Sequence, residues 1–485
     1  MEHMQMFIGG EWVDAADGQT MESIDPATRE PLTVVPSAGA DDVDRAVNAA
    51  RAAYESEQWQ DMLPSQRGRL LNRLAADIRA NADELARWET LDAGKPLAQS
   101  RADVEVAARY CEYYAGVADK LLGETIPVRP DLLDYTLREP LGVTAHIVPW
   151  NYPLQIAVRG LAPALAAGNA VVLKPADETP VTALKIAELI ERSEWPSGLV
   201  NIVTGTGPRV GASLAAHPGI NHVTFTGSVP TGIAVMRAAA GNVTPVTLEL
   251  GGKSPNIVFA DADLDEAADW VVKSIIQNAG QTCSAGSRLI VERAIHETFV
   301  ERVVERMKAL TLGAGIDEPD IGPIISQKQL NTIESYMELA CGEGVTIRTG
   351  GRRATSPPLD RGFFFEPTVI DGLSADHRLA REEIFGPVLS VIEFDDARQA
   401  IEIANDTDYG LITGVWTTNV HKALWLAGQI RCGQVYVNNY GAGGGVELPF
   451  GGYGKSGFGR EKGLEALRGY TQLKNVAVRI KPNAR

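Results

Sequence analysis

Cysteine is scarce in this chain. Cys111, Cys283, Cys341 and Cys432 are the only four among 485 residues, and their positions show neither the paired spacing of a zinc cage nor that of a disulfide framework. A reducing compartment is therefore expected. The seven histidines are equally scattered, so no metal site is expected. Positive charge is in deficit: 45 Lys and Arg stand against 62 Asp and Glu, giving a formal net charge of −17. That balance repels phosphate backbones and anionic lipid, and no basic stripe offsets it locally. Neither nucleic acid nor a membrane is expected as a partner. Long apolar runs are missing too. The opening Met1-Glu2-His3-Met4-Gln5-Met6-Phe7-Ile8-Gly9-Gly10 has no basic stretch followed by an apolar one, and nothing approaches the length of a membrane span. The expected location is the cytoplasm.

What is present is ordinary globular composition, 45% hydrophobic and 22% charged, on a chain too long for one compact core. Short strand-like pieces at Phe7 to Val13 and Thr33 to Val35 precede helical patterns from Asp41 to Tyr54 and from Ser65 to Thr90, where Leu70, Leu71, Leu74, Ile78 and Leu85 recur at helical spacing. From Val143 the period changes. Strands at Thr144 to Val148, Ala170 to Leu173, Leu199 to Val203 and His222 to Phe225 alternate with helices beginning near Leu154, Pro180, Arg209 and Val229, the signature of a parallel α/β sheet. A further strand, Val246 to Glu249, meets Gly251-Gly252, a natural hinge and domain boundary, after which strand Asn256 to Phe259 and a helix from Leu264 to about Asn278 resume the alternation.

Ligands of such sheets bind beyond the carboxyl ends of the strands, so the turns there carry the candidate chemistry. Thr204-Gly205-Thr206-Gly207-Pro208-Arg209-Val210-Gly211 and Phe225-Thr226-Gly227-Ser228-Val229-Pro230-Thr231-Gly232 each end a strand and open a helix, where backbone N–H groups and the helix dipole favour a phosphate. Neither has the Gly-x-Gly-x-x-Gly spacing, and both also read as plain tight turns. Lys174-Pro175-Ala176-Asp177 offers a cation and a carboxylate suited to ribose hydroxyls, or a surface ion pair. Cys283 lies in Gly280-Gln281-Thr282-Cys283-Ser284-Ala285-Gly286, where small residues leave room for a substrate carbon to reach the sulfur; a lone cysteine is also a common buried hydrophobe. Glu249 is placed to be a general base or a structural ion-pair partner, and Asn151, after Val148-Pro149-Trp150, to be an oxyanion donor or a turn residue.

Taken together, Pro149-Trp150-Asn151, Lys174-Pro175-Ala176-Asp177, Phe225-Thr226-Gly227-Ser228, Glu249-Leu250-Gly251-Gly252-Lys253, Gly280-Gln281-Thr282-Cys283 and Glu383-Ile384-Phe385-Gly386-Pro387 resemble, in order and spacing, the aldehyde dehydrogenase superfamily of NAD(P)-dependent, non-acylating enzymes, from about Phe7 to Ile480. The resemblance implies a Rossmann-type parallel-sheet cofactor domain (1–121 and 141–250), an α/β catalytic domain (251–449) and a small bridging β-sheet for oligomerisation (122–140 and 450–485). It implies that Cys283 attacks the aldehyde, that Glu249 is the general base and that Asn151 holds the oxyanion. It further implies cofactor contacts from Val148, Pro149, Trp150, Lys174, Asp177, Gly207, Gly211, Gly227, Ser228, Leu250, Glu383 and Phe385. The family usually has Glu where Asp177 stands, here followed by Glu178. Two acids repel a 2′-phosphate, which favours NAD and leaves NADP open.

For the substrate, the resemblance points to Tyr152 and to Arg159, which is similar to the arginine that succinate-semialdehyde dehydrogenases use for a carboxylate. The second arginine of that pattern falls on Gln277. Gly441 to Gly445 is too featureless to contribute. The alternative is a betaine-aldehyde or aminoaldehyde dehydrogenase, with Tyr152, Tyr440 and Glu447 around a cation. A catalytically silent homologue conflicts with the presence of Cys283, Glu249 and Asn151, and Glu249 argues against transfer of the acyl group to coenzyme A. Alternating apolar residues at Leu132 to Arg138 and at Val476, Val478 and Ile480 leave strand edges that suggest a homodimer or homotetramer.

Overall fold

The computed structural model describes residues 2–441 and 445–481. Two large sheets organise it. The first has eight strands, in the spatial order Gly457–Phe458, Val246–Glu249, His222–Thr226, Val143–Ile147, Ala170–Lys174, Val200–Ile202, Met6–Ile8 and Glu11–Val13. Its five middle strands are parallel. Val143–Ile147, Ala170–Lys174 and His222–Thr226 are buried at every position, because helices cover both faces. From Val143–Ile147 the chain first runs outward through Ala170–Lys174 and Val200–Ile202, then crosses back to His222–Thr226 on the other side. The order thus reverses between Val143–Ile147 and His222–Thr226, which opens a crevice beyond the strand ends.

The second sheet has seven strands, Thr346–Thr349, Thr368–Asp371, Val388–Phe394, Arg288–Glu292, Pro255–Val258, Ile412–Trp416 and Gln434–Val437 in spatial order, parallel except for the first. Two apolar cores flank it, one around Ile257, Ile290 and Ile392, the other around Val258, Leu289 and Val391. Alternate residues of the same strands thus point to opposite cores. Leu132–Pro140 and Thr471–Arg479 form a separate antiparallel ribbon. These elements bear out the α/β architecture with parallel sheets and a small extra one.

Several local expectations fail. Phe7 to Val13 is two strands, Met6–Ile8 and Glu11–Val13, folded back at Gly9 and Gly10, which both take positive φ (67° and 86°). Ser65 to Thr90 is two helices, Pro64–Ala80 and Ala82–Ala93, broken at Asn81. The helix expected near Arg209 is present but short, a wide π-type turn at Gly207–Gly211 that continues into Ala212–Ala215. Leu97–Val117 is a 21-residue helix that the apolar pattern did not single out, because it buries Ser100, Asp103, Tyr110 and Tyr114 alongside its aliphatic residues. Segment 450–485 does more than build the ribbon, since Gly457–Phe458 pairs with Val246–Glu249 at the edge of the first sheet.

Candidate active site

The crevice collects three strand ends. After Val143–Ile147, the Val148 N–H donates to Lys174 O at 3.1 Å and leads into Pro149, Trp150 and Asn151. After Ala170–Lys174, the buried Lys174 ammonium donates to Asp177 Oδ1 at 2.8 Å and to Pro175 O at 2.7 Å. The other Asp177 oxygen accepts from Gly207 N–H at 3.3 Å, which ties the Thr204–Gly211 turn to the same corner. Gly211 faces Lys174: a Cβ there would lie 3.7 Å from its Cδ. After His222–Thr226, Gly227 N–H donates to Glu249 O at 3.0 Å, and exposed Ser228 starts the 12-residue helix Val229–Ala240, its hydroxyl sharing a hydrogen bond with Thr231. Leu250 packs so closely beneath that helix that a Cβ on Gly232 would fall 2.6 Å from its side chain.

The opposite wall is the loop that carries Cys283. Helix Leu264–Ile276 runs into Asn278 (φ 47°, ψ 41°) and Ala279 (φ 53°, ψ 36°), left-handed conformations that cost about 1–3 kcal/mol each for residues with a Cβ. The surroundings hold this shape from several sides. Asn278 N–H donates to Gln99 Oε1 at 3.0 Å, and Asn278 Nδ2 to Asn151 O at 3.0 Å. Gln281 Nε2 donates to Asn278 O at 3.0 Å, and Gln281 Oε1 accepts from Ile325 N–H at 2.9 Å. Asn151 Nδ2 donates to Gln281 O at 2.9 Å, and Thr282 Oγ1 to the Tyr152 hydroxyl at 2.7 Å. Asn151 and Tyr152 therefore clamp the residues just before Cys283. One hydrogen of the Asn151 amide remains uncommitted.

Cys283 is half-buried and free of any disulfide. Burial pushes its thiol up to about 12, opposed by the Arg159 cation and reinforced by the Glu249 carboxylate. Glu249 is buried at the end of its strand with neither carboxylate oxygen hydrogen-bonded. Burial holds its carboxyl well above the usual range, Glu461 adds to this, and Arg159 opposes it. The backbone approaches closely here: a Cβ on Gly252 would fall 2.6 Å from Cys283 O, and one on Gly280 (φ 74°) 2.1 Å from Gly386 O. Glu383 accepts from Gly252 N–H at 2.9 Å and is pushed up to about 7 by burial. Phe385, at φ 57°, meets Trp150 edge-on with centroids 5.4 Å apart.

Arg159, expected to read a substrate carboxylate, is paired within the protein. Its side chain is only 5% exposed and is in ion-pair contact with Glu461, 6% exposed. A second bond reaches Thr226 Oγ1 at 3.3 Å, and the guanidinium lies 5.4 Å from the Phe450 centroid. Its charge is spent inside the protein. Of the alternative set around a cation, the Tyr440 hydroxyl donates to Ser284 O at 2.8 Å, the Tyr152 hydroxyl accepts from Thr282 at 2.7 Å, and Glu447 pairs with Arg109 at 2.9 Å. Of Gly441 to Gly445, residues 442–444 lie outside the described residues. The sequence reading missed Glu461, Phe450, Gln281 and Asn278. Only Glu461, closing the glycine-punctuated run Gly457-Phe458-Gly459-Arg460-Glu461, carried a signal that the reading passed over.

The aldehyde dehydrogenase family model matches residues 12–476. A betaine aldehyde dehydrogenase from Bacillus subtilis is 44% identical over 99% of this chain and 98% of its own length. A hydroxyisobutyraldehyde dehydrogenase from Mycolicibacterium austroafricanum is 44% identical over 99% of this chain and 94% of its own. The solved NAD+ complex of an aldehyde dehydrogenase from Bacillus cereus superposes with a TM-score of 0.97 at 44% identity, covering 99% of this chain and 97% of that one. The chain belongs to the aldehyde dehydrogenase family, and its activity is that of an oxidoreductase.

Proposed function

We propose that this protein oxidises aldehydes to carboxylic acids with NAD, using Cys283 as nucleophile, Asn151 as oxyanion donor and Glu249 as the base for hydrolysis. The observation that carries the reading is the Glu249 carboxylate, buried beside the cysteine loop with both oxygens free of partners. A buried carboxylate without partners destabilises the fold by about 1–3 kcal/mol or more, and its retention is accounted for by a proton it must take up and release.

The reaction begins with transfer of the Cys283 proton to the Glu249 carboxylate, which passes it to solvent before hydrolysis. The sulfur adds to the aldehyde carbon, and the carbonyl electron pair moves onto oxygen. That oxyanion takes hydrogen bonds from the free Asn151 amide hydrogen and from the Cys283 N–H, which donates to no other group among the described residues. NAD, when bound, supplies the acceptor for the hydride whose loss converts the adduct into a thioester. Glu249 then removes a proton from water, the water oxygen forms a C–O bond at the acyl carbon, the C–S bond breaks, and the acid leaves with the thiol restored.

The crevice suits NAD. Lys174 and Asp177 would meet a ribose, Gly207 and Gly211 leave open backbone, and Gly227 and Ser228 begin a helix that would favour a pyrophosphate. Val148, Pro149, Trp150 and Leu250 would line the floor, and Glu383 and Phe385 would hold the nicotinamide end. NAD complexes of relatives at 44% and 40% identity support this, and Asp177 with Glu178 favours NAD over NADP. Residues 1–121 and 141–250 serve the cofactor and 251–449 the nucleophile. Segments 122–140 and 450–485 join subunits of a homodimer or homotetramer, a reading supported by the exposed Leu133, Leu137, Leu473 and Val478 of the ribbon. No helix among the described residues is long and apolar enough to cross a membrane, which accords with a cytoplasmic enzyme.

The test is NADH formation with neutral, anionic and cationic aldehydes. Turnover by the parent that Cys283→Ala abolishes is expected. Undiminished turnover by Cys283→Ala contradicts the mechanism.

A further inference from the structure

The wall beside Glu249 holds a cation that the mechanism above does not use. Phe450 and Glu461 exchange backbone hydrogen bonds at 2.6 and 2.7 Å, which sets residues 450–451 against the 460–462 turn. Gly451 abuts the base, since a Cβ there would fall 2.8 Å from Glu249 Oε1. Two cations flank the Phe450 ring next to it: Arg159, 5.4 Å from the centroid, and Lys462, whose Nζ lies 5.0 Å away.

The charges on this wall do not balance. Arg159 is matched by Glu461. Arg460 turns aside, its guanidinium over Tyr453 at 5.6 Å and its N–H groups on Gly452 O and Gly459 O. The acids around Lys462 are committed elsewhere: its neighbour Glu461 to Arg159, Glu465 to Arg468 and Glu447 to Arg109. Glu249 carries no ion-pair partner. Lys462 is half-buried, sits at φ 66° and makes no ion pair among the described residues. Burial, and then the Arg159 charge, lower its ammonium to about 8, opposed by the charges of Cys283, Glu461 and Glu249, and neither carboxylate is within ion-pair distance of it. In a protein of net charge −17, this wall is locally positive.

We propose that Lys462, held against Phe450 beside the reacting centre, reads a negative charge at the far end of the substrate, so that the preferred aldehydes are ω-carboxyl aldehydes. The inference rests on the aldehyde-oxidising reading and deepens it. It also reassigns the task expected of Arg159: that arginine is neutralised internally, whereas Lys462 keeps its charge for a ligand. A single ammonium is a point charge rather than a fork, so it accepts carboxylates at more than one chain length. A quaternary ammonium aldehyde meets like charge at the same place.

The experiment compares three aldehydes of one shape, 4-oxobutanoate, the neutral 4-methylpentanal and the cationic 3-(trimethylammonio)propanal, with the parent, Lys462→Met, Lys462→Gln and Lys462→Arg, recording kcat and KM for each. The parent is expected to rank them by kcat/KM as anionic, neutral, cationic. Lys462→Met and Lys462→Gln are expected to lower the ratio of kcat/KM for 4-oxobutanoate over 4-methylpentanal by about tenfold, mainly through KM, and Lys462→Arg to retain most of it. A parent that prefers the neutral or cationic aldehyde overturns the proposal, and so does an unchanged ratio in the Met and Gln variants. Absence of turnover with all three aldehydes instead sinks the underlying aldehyde-oxidising reading. The ranking by the parent needs no variant, so the test stands even if the substitutions impair folding.

Discussion

Replacing Arg159 with Met separates its structural role from the substrate-binding role that its sequence position suggests. The Arg159 and Glu461 side chains are 5% and 6% exposed. Removing the guanidinium leaves the Glu461 carboxylate buried with one hydrogen bond, from Thr224 Oγ1 at 2.9 Å. Breaking a buried pair in this way costs about 3–5 kcal/mol, because the surviving charge keeps its desolvation penalty and loses its compensation. At roughly 2 °C per kcal/mol for a large domain, the thermal midpoint falls by about 6–10 °C. The double variant Arg159→Met, Glu461→Gln removes the orphaned charge as well and recovers most of that loss. Activity falls for every aldehyde alike, since Arg159 also opposes the upward shift of Glu249 and of the Cys283 thiol. Thermal unfolding at fixed protein concentration, with kinetics on carboxylated and neutral aldehydes, reads both effects. Unchanged stability together with a KM increase confined to carboxylated substrates would refute the pairing argument and return Arg159 to the substrate.

Three more outcomes follow from the same interactions. Burial raises both Cys283 and Glu249, and both must lose a proton to work, so kcat/KM rises with pH on a limb above neutrality; a flat profile from about pH 6 to about pH 9 contradicts this. Asn151→Ala removes an oxyanion donor and the clamp on Gln281 O, lowering kcat by about 10²–10³-fold in steady-state assays with little change in circular dichroism. His222 is buried against Tyr470 and lowered to about 4 by burial, below its unfolded value near 6.5. It therefore contributes about 3 kcal/mol that is present above pH 6.5 and lost as pH falls toward 4, and denaturant titrations at several pH values are expected to show a shallower acid decline for His222→Gln.

The parallel strands were legible because each is a short apolar run closed by turn residues, and the crevice followed from where those runs end. Cys283, Glu249 and Asn151 were legible only as an ordered set, since each alone has an ordinary structural explanation. The support beneath them was not. The loop before Cys283 is held by Gln99, Asn151, Tyr152 and Ile325, four contacts from distant segments that no local pattern announces. The pairing of Arg159 was hidden for the same reason: its type and position could be read, but the carboxylate against it, Glu461, lies far along the chain. Leu97–Val117 hid for a different reason, its buried face being built partly of polar and aromatic side chains. Lys462 acquires meaning only once the neighbouring acids are seen to be paired.

The central claim is that Cys283 carries the acyl group and Glu249 releases it. The most direct measurement is the mass of the Cys283 peptide after the Glu249→Gln variant is mixed with NAD and an aldehyde. The account predicts a peptide heavier by the acyl group, accompanied by about one NADH per subunit and then near-arrest. An unmodified Cys283 peptide with NADH still accumulating steadily would contradict it.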